Sequence, residues 1–536
     1  MKRPPIRTLI VIGLLGAAYL ASVGRLLLRP GAAVVDPHVE IIRFAHWQIE
    51  PGVREAFGAI AADYMALHPD VRVEQIDIPG RAWKQWLRTS LIGDDAPDLI
   101  ELASYENPDD VLARYFTPIT QYLEEPNPYN ASEPDLRNVS WRQSYAAELI
   151  PHEMQHYFSL NLLEYYGAPS AMVSVRVFYN RRLFEEATGS DRPPRDFDEF
   201  VALCGALARH AESTQQPVTP LAGSWFNVTQ LTDGLFSTAS QRVALRVDIS
   251  RDLEMSKHEA LINYVRGRWS LATPAVRAGL QTVEAFGRYL PPGWSQLNRE
   301  DAMLQFLQGR AAMLVTGTWD SGGILGQADF PVGAFKMPAF RPGDTKYGRD
   351  MLGPVSEAGT FATVPFGLTR ASRHPARALD FLRFLTSRKS NEKFSRISTW
   401  LPVIKGVPVP KGSEAFQPVG DGYVNGINIR FLAPRANEIV VQNLYLLSGN
   451  RASADAFVTR TSGLFDRIYP EELTRLAHVN HETIRQKDSV LTGLYQLEQK
   501  AGLAHAKFDR LAANQLTVEA ERLRSLRTLE DFPAKE

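Results

Sequence analysis

The feature that most constrains this chain is a hydrophobic period that switches repeatedly over its first hundred residues. "VEIIRFAHWQIE" (39–50) alternates β-branched and polar positions and predicts a strand ending at His46 and Trp47. In "GVREAFGAIAADYMALHPD" (52–70), Phe57, Ile60, Ala61, Tyr64 and Leu67 recur at helical spacing, and Pro69 ends the helix. "VRVEQIDIP" predicts a second strand, "RAWKQWLRTSLIG" a second helix and "DLIELA" a third, short strand. Strand, helix, strand, helix, strand at this spacing is the pattern of a parallel α/β sheet. Such sheets bind ligands beyond the carboxyl ends of their strands. His46 and Trp47, Asp77 to Arg81, and the stretch from Ser104 to Asn107 all fall there.

The pattern continues downstream. "SVRVFYN" predicts a strand, "RRLFEEATG" a helix, and "PPRDFDEFVALCGALARH" a helix capped by Asp196 or Asp198. A long helical region over 273–309 leads to the strand "AAMLVTG", the turn "TWDSGG" and the strand "VGAFKMP". "HPARALDFLRFLTS" is amphipathic. From Pro470 to Leu529 the chain turns Leu-, Glu-, Arg- and Gln-rich, which predicts two helices broken at Gly493 and Gly502. At 536 residues the chain exceeds one core and implies two or three domains. Basic and acidic residues nearly cancel (59 and 60), so no broad electrostatic drive toward nucleic acid exists. The one cysteine, Cys204, sits in an apolar run and excludes an intrachain disulfide. Residues 1–35 stand apart: Lys2, Arg3 and Arg7 precede the uncharged stretch 8–23, which fits an export signal or an N-terminal membrane anchor.

Five segments, in order, carry a resemblance to a known family. They are "IIRFAHWQ", "YMALHPDVRVEQIDIPGRAWKQWLRTSLIGDDAPDLIEL", "VSVRVFYNRRLFEEATGSDRPPRDFDEF", "GRAAMLVTGTWDSGGI" and "ARALDFLRFLTSRKSNEKFSRISTWLPV". Over roughly 40–465 the chain resembles the family 1 extracellular solute-binding proteins of ABC importers, the sugar- and maltodextrin-binding type. It departs from the family pattern at Phe197, where tryptophan is usual, over 240–270, and in the tail beyond 470. The resemblance implies an α/β, two-lobed periplasmic binding protein-like fold (type II) with a C-terminal helical extension. By analogy one lobe holds 38–174 plus 352–398, the other 175–351 plus 399–465, and 470–536 forms the extension. It also implies an extracytoplasmic protein that takes a carbohydrate in the interlobe cleft and partners the transmembrane subunits of a permease, with no cofactor and no catalysis.

A sugar presents hydroxyls and apolar C–H faces, so its site needs flat aromatic surfaces beside polar side chains. Candidates at the strand ends are His46, Trp47, Trp83, Tyr105 and Asn107 in the first lobe. Trp225, Trp319 and Asp320 stand in the second, Trp400 follows the amphipathic helix, and Tyr179 belongs to the family's Y-N element. Trp83 shares a helix face with Trp86 and Leu87 and reads equally as core.

Two enzyme classes compete. His152, Glu153 and His156 have H-E-x-x-H spacing, but neither the metzincin continuation nor an obvious third ligand follows. A glycoside hydrolase needs two facing carboxyls, and the acids of "GDDAPD" and "NPDD" suit turns as well. A non-enzymatic alternative is a membrane-tethered sensor with the same cleft and the C-terminal helices as its output.

Overall fold

A computed structural model describes residues 39–533 except 51, 94, 103–108, 147–156, 160–161, 254, 342, 358–361 and 503. The N-terminal segment, Tyr105, Asn107 and the H-E-x-x-H residues therefore lie outside the described residues. In chain order the strands of the two main sheets are β1 (Glu40–His46), β2 (Val71–Asp77), β3 (Leu99–Glu101), β4 (Phe116–Thr117), β5 (Val175–Asn180), β6 (Thr219–Leu221), β7 (Ala311–Gly317), β8 (Val332–Phe335) and β9 (Phe366–Thr369).

The first sheet runs β2-β1-β3-β9-β4, with Gly167–Ala168 pairing on β9. β1 is parallel to β2 and β3, while β9 returns antiparallel to β3. Helix α1 (Val53–Leu67) covers it through Val53, Phe57, Ile60 and Tyr64, all fully buried. Phe44, Phe57 and Phe366 meet edge to face at 5.5–6.0 Å between ring centres, and each buried ring contributes about 1.5–3 kcal/mol. Helix α2 (Gly80–Ile92) packs Trp83, Leu87 and Leu91 on the other face. Both faces being covered explains why consecutive residues Phe44, Ala45 and His46 of β1 are all buried.

The second sheet runs β6-β7-β5-β8, with β6 parallel to β7 and β5 antiparallel to both β7 and β8. Its core takes α3 (Trp225–Ala239), α4 (Lys257–Val265) and the helix at Phe197–Thr214, which Asp196 caps by accepting the Glu199 N–H. Each sheet thus has its own apolar core, and these are the two lobes. The region 273–309 is two helices, Pro274–Gly287 and α5 (Arg299–Leu307), because "PPG" at 291–293 supplies two prolines and a left-handed glycine.

The tail also differs from expectation. Helix α6 (Ala454–Lys500) passes through Pro470 and Gly493 without a break, and α7 (Ala506–Asp531) folds back on it. Phe457, Phe465, Ile468, Tyr469 and Leu473 are buried in the second-lobe core, so tertiary packing outweighs the weak local penalties. The reversal falls at Gly502, at positive φ. At that end the Lys507 ammonium pairs with Glu164 of the first lobe, while at the other α7 meets α4 through Arg266 and Thr528. The hairpin spans both lobes.

The crossing segments are tied to one another. Arg176, 1% exposed, donates to Glu357 (2.9 and 3.1 Å) and to the carbonyls of Val175, Ala415, Phe416 and Gln417. Among the described residues no helix is long and apolar enough to cross a membrane.

Candidate functional site

The first wall of the cleft grows from the ends of β1 and β3. Glu101 closes β3 and is fully buried. It accepts from the Gln48 side-chain amide (2.6 Å) and the Trp47 backbone N–H (3.2 Å), which fixes the turn after β1. Burial pushes the Glu101 carboxyl well above the usual carboxylate range. Burial also raises Glu50, two residues past Gln48. Trp47 is partly exposed and sets its ring edge-on to Trp83 at 5.0 Å.

The second wall grows from the end of β7 and two helix starts. Strand β7 is buried along its whole length and delivers Trp319 and Asp320 immediately beyond it. A Cβ on Gly317 would come within 2.1 Å of the Trp319 ring, so glycine there is what lets the indole fold back on the strand end. Arg299, at the start of α5, holds Asp320 through two guanidinium nitrogens, and the Thr316 hydroxyl donates to the same carboxylate at 2.6 Å. The Arg299 guanidinium lies over Phe226 (5.7 Å) and over Trp319 (5.8 Å). Phe226 and the exposed Trp225 begin α3. The two walls meet where Arg299 Nη2 stands 3.8 Å from Glu50 Oε1.

The structure brings Trp47, Trp319 and Asp320 to these walls, with Trp225 beside Phe226. His46 lies beneath the first wall, among Phe44, Phe57 and Phe366, with Nε2 accepting from Gln75 at 2.8 Å. Burial lowers it to about 4, so the imidazole is neutral. Trp83, 3% exposed, backs Trp47. Trp400 sits in the first-lobe core and donates from Nε1 to the Trp319 carbonyl at 3.3 Å. Tyr179 stacks on Phe184 (4.3 Å) and donates to the Asp191 carbonyl in the second-lobe core. Neither Tyr105 nor Asn107 falls within the described residues. Among those residues no group of three or more His, Cys, Asp or Glu is placed to hold a metal.

Sequence reasoning missed Gln48, Glu50, Glu101, Arg299 and Phe226. Glu101 had a signal, a charged residue inside the apolar "DLIEL"; Arg299 in "LNREDAM" had none.

Two α/β lobes, crossing strands and a polar, aromatic cleft define a two-lobed ligand-capturing protein. The sequence model for bacterial extracellular solute-binding proteins matches residues 50–392, well over half of the chain, and the protein belongs to that family. An uncharacterised ABC transporter extracellular-binding protein of Pyrococcus horikoshii is 21% identical over 437 residues, covering 80% of this chain and 86% of that one. Among solved structures, a chitin oligosaccharide binding protein matches with TM-score 0.54 and 16% identity, over 80% of this chain and 99% of that one. The GacH receptor of Streptomyces glaucescens, solved unliganded and with acarbose, matches at 0.56 and 15%, over 80% and 98%. UgpB of Mycobacterium tuberculosis, in complex with glycerophosphocholine, matches at 0.54 and 17%, over 79% and 97%. These likenesses establish the two-lobed fold.

Proposed function

We propose that the protein captures a carbohydrate, an oligosaccharide, between its lobes outside the cytoplasmic membrane and delivers it to the permease subunits of an ABC importer. The observation that carries this is the meeting of two walls, one with Trp47 and Glu50 and the other with Trp319 and Asp320, where Arg299 Nη2 comes to 3.8 Å from Glu50 Oε1. Trp47, Trp319, Trp225 and Phe226 offer flat apolar faces, and Glu50 offers a carboxylate oxygen for hydroxyls. His46, Trp83, Trp400 and Tyr179 support those walls from beneath. The ABC relative and the chitin oligosaccharide and acarbose receptors support the reading by likeness. Residues 1–35 would carry the chain through the membrane and hold it there if uncleaved. No catalytic step is assigned to the cleft.

A thermal-shift panel of oligosaccharides tests the reading. At a hundred times its Kd, a ligand adds about 2.7 kcal/mol and raises the melting temperature. No shift with any member at millimolar concentration would end it.

One observation favours the sensor alternative: the C-terminal hairpin is rooted in the second lobe and touches the first at Glu164, so closure bears on it. Deleting 471–536 would also remove the buried Leu473, so Lys507→Glu is the cleaner test. A sensor loses signalling in that variant while keeping uptake; an importer keeps uptake and has no signal to lose.

A further inference from the structure

We propose that Glu50 sets the charge class of the ligand: the cleft admits neutral polyhydroxylated solutes and turns anions away. This rests on the capture reading and names the ligand class of the same site. The cleft's arginine is already engaged within its own lobe. Both carboxylate oxygens of Asp320 are taken by Arg299, from Nε at 3.2 Å and from Nη2. The guanidinium also lies over both the Phe226 and the Trp319 ring, at 5.7 and 5.8 Å, and those rings adjoin each other at 6.4 Å. Its nearest approach to Glu50 is 3.8 Å, outside hydrogen-bond range. A cation that is paired within its own lobe and held against two rings is poorly placed to serve a phosphate or a carboxylate, which needs a free fork of donors.

The groups left open point the other way. Among the described residues Glu50 Oε2 has no hydrogen-bond partner although it is buried, and the Trp319 Nε1–H has none either. An open carboxylate accepts; it cannot donate. A ligand hydroxyl satisfies it with a charge-assisted bond, and a hydroxyl oxygen of the same ligand can accept from the indole N–H. An anion instead meets the Glu50 carboxylate, since the charge of Asp320 is already balanced by Arg299, and repulsion in a partly buried site is several times stronger than in water. Glu101 behind Gln48 supplies no compensating positive charge. Leaving Glu50 Oε2 unfilled costs free energy that a hydroxyl recovers and an anion does not.

The experiment uses matched pairs on the full chain: a chitin oligosaccharide and a xylo-oligosaccharide, each against its own aldonate, with glycerol 3-phosphate added. Calorimetry should give at least one neutral member binding ten-fold or more tighter than its aldonate, and no binding of glycerol 3-phosphate. Glu50→Gln should weaken the neutral member by about ten-fold and strengthen its aldonate, narrowing the gap from both sides. Glu50→Asp, which keeps the charge, should keep the discrimination, and it carries the test if the glutamine variant is unstable. Equal or tighter binding of an aldonate, binding of glycerol 3-phosphate, or an unchanged ratio in Glu50→Gln overturns the assignment while leaving capture intact. Silence of every probe sinks capture itself, and this inference with it.

Discussion

An arginine meets a glutamate twice, once where the chain crosses from one sheet to the other and once between the two walls of the cleft, and the two contacts are built in opposite ways. At the crossing, Arg176 is 1% exposed and Glu357 12%, and the guanidinium donates to six acceptor atoms. Glu357 is completed by the Val419 N–H at 2.8 Å. In the cleft, Arg299 is 29% exposed, Glu50 18%, and the pair stops at 3.8 Å with one carboxylate oxygen unfilled. A buried charge that is fully satisfied holds a geometry. One that is half satisfied stores a need that an outside molecule can meet. The difference separates a contact that holds the crossing in one geometry from a contact that can answer a ligand.

The largest expected effect breaks the satisfied contact. Arg176→Met strands the carbonyls of Ala415, Phe416 and Gln417 and leaves Glu357 to Lys336, whose Nζ stands at 3.7 Å, so chemical denaturation should show a loss of about 3 kcal/mol. Glu50→Gln should shift stability by less than about 1 kcal/mol, since it removes a charge that lacks full compensation. If the two variants destabilise equally, the distinction between the contacts fails.

Next comes acid lability, which tests whether His46 supports the wall or belongs to its surface. The unfolded imidazole titrates near 6.5 and the folded one near 4, because burial disfavours the cation. Between these values the unfolded chain takes up a proton that the native one refuses. Stability present above pH 6.5 is therefore lost as the pH falls toward 4, by about 3 kcal/mol in total. His258, lowered to about 4 by burial as well, adds a limb of its own. His46→Gln should remove one of the two limbs in denaturation curves from pH 7 to 4 and leave ligand affinity near wild type. A collapse of affinity with an unchanged pH profile would return His46 to the binding surface.

These contrasts also explain what was legible in the sequence. Local periodicity marked β1, α1, β2, α2 and β3 because each buries a stripe that repeats within a few residues. It also brought out Trp319, because a buried strand running into a Gly-flanked turn must deliver its next side chain at the sheet's edge. Exposure was not legible. His46, Trp83 and Trp400 have the composition of a sugar site, yet whether a ring faces the gap depends on the neighbour behind it: Phe57 for His46, the second indole for Trp83, the Trp319 carbonyl for Trp400. Glu50 and Arg299 lie 249 positions apart, and no pattern in either segment announces that they meet. Pro470 misled for a related reason, since the helix running through it is held by Tyr469 and Leu473 in a distant core.

A smaller effect is expected at the aromatic face. Trp319→Ala removes the ring that the guanidinium of Arg299 overlies and that Trp400 supports through the backbone. Ligand affinity should fall by about 2 kcal/mol, roughly thirty-fold, by calorimetry. Trp225→Ala, on an exposed ring at the edge of the wall, should cost less; the reverse order would move the centre of the site toward α3.

The smallest effect belongs to the third bridge, the ion pair of Lys507 with Glu164. Its side chains are 36% and 18% exposed, so solvent screens the attraction, and the Thr120 hydroxyl already donates to the same carboxylate. Lys507→Ala should therefore change global stability by no more than about 1 kcal/mol. The pair nonetheless joins a hairpin rooted in one lobe to the surface of the other, so its energy enters the balance between closed and open forms. If the bridge forms only when the lobes are closed, its loss must weaken ligand binding by the same small factor, up to about five-fold, with stability without ligand barely altered. If the hairpin holds Glu164 in both forms, affinity stays put. Measuring Kd and unfolding free energy on one variant separates the cases, and raising the salt concentration should erase the effect in wild type as the mutation does.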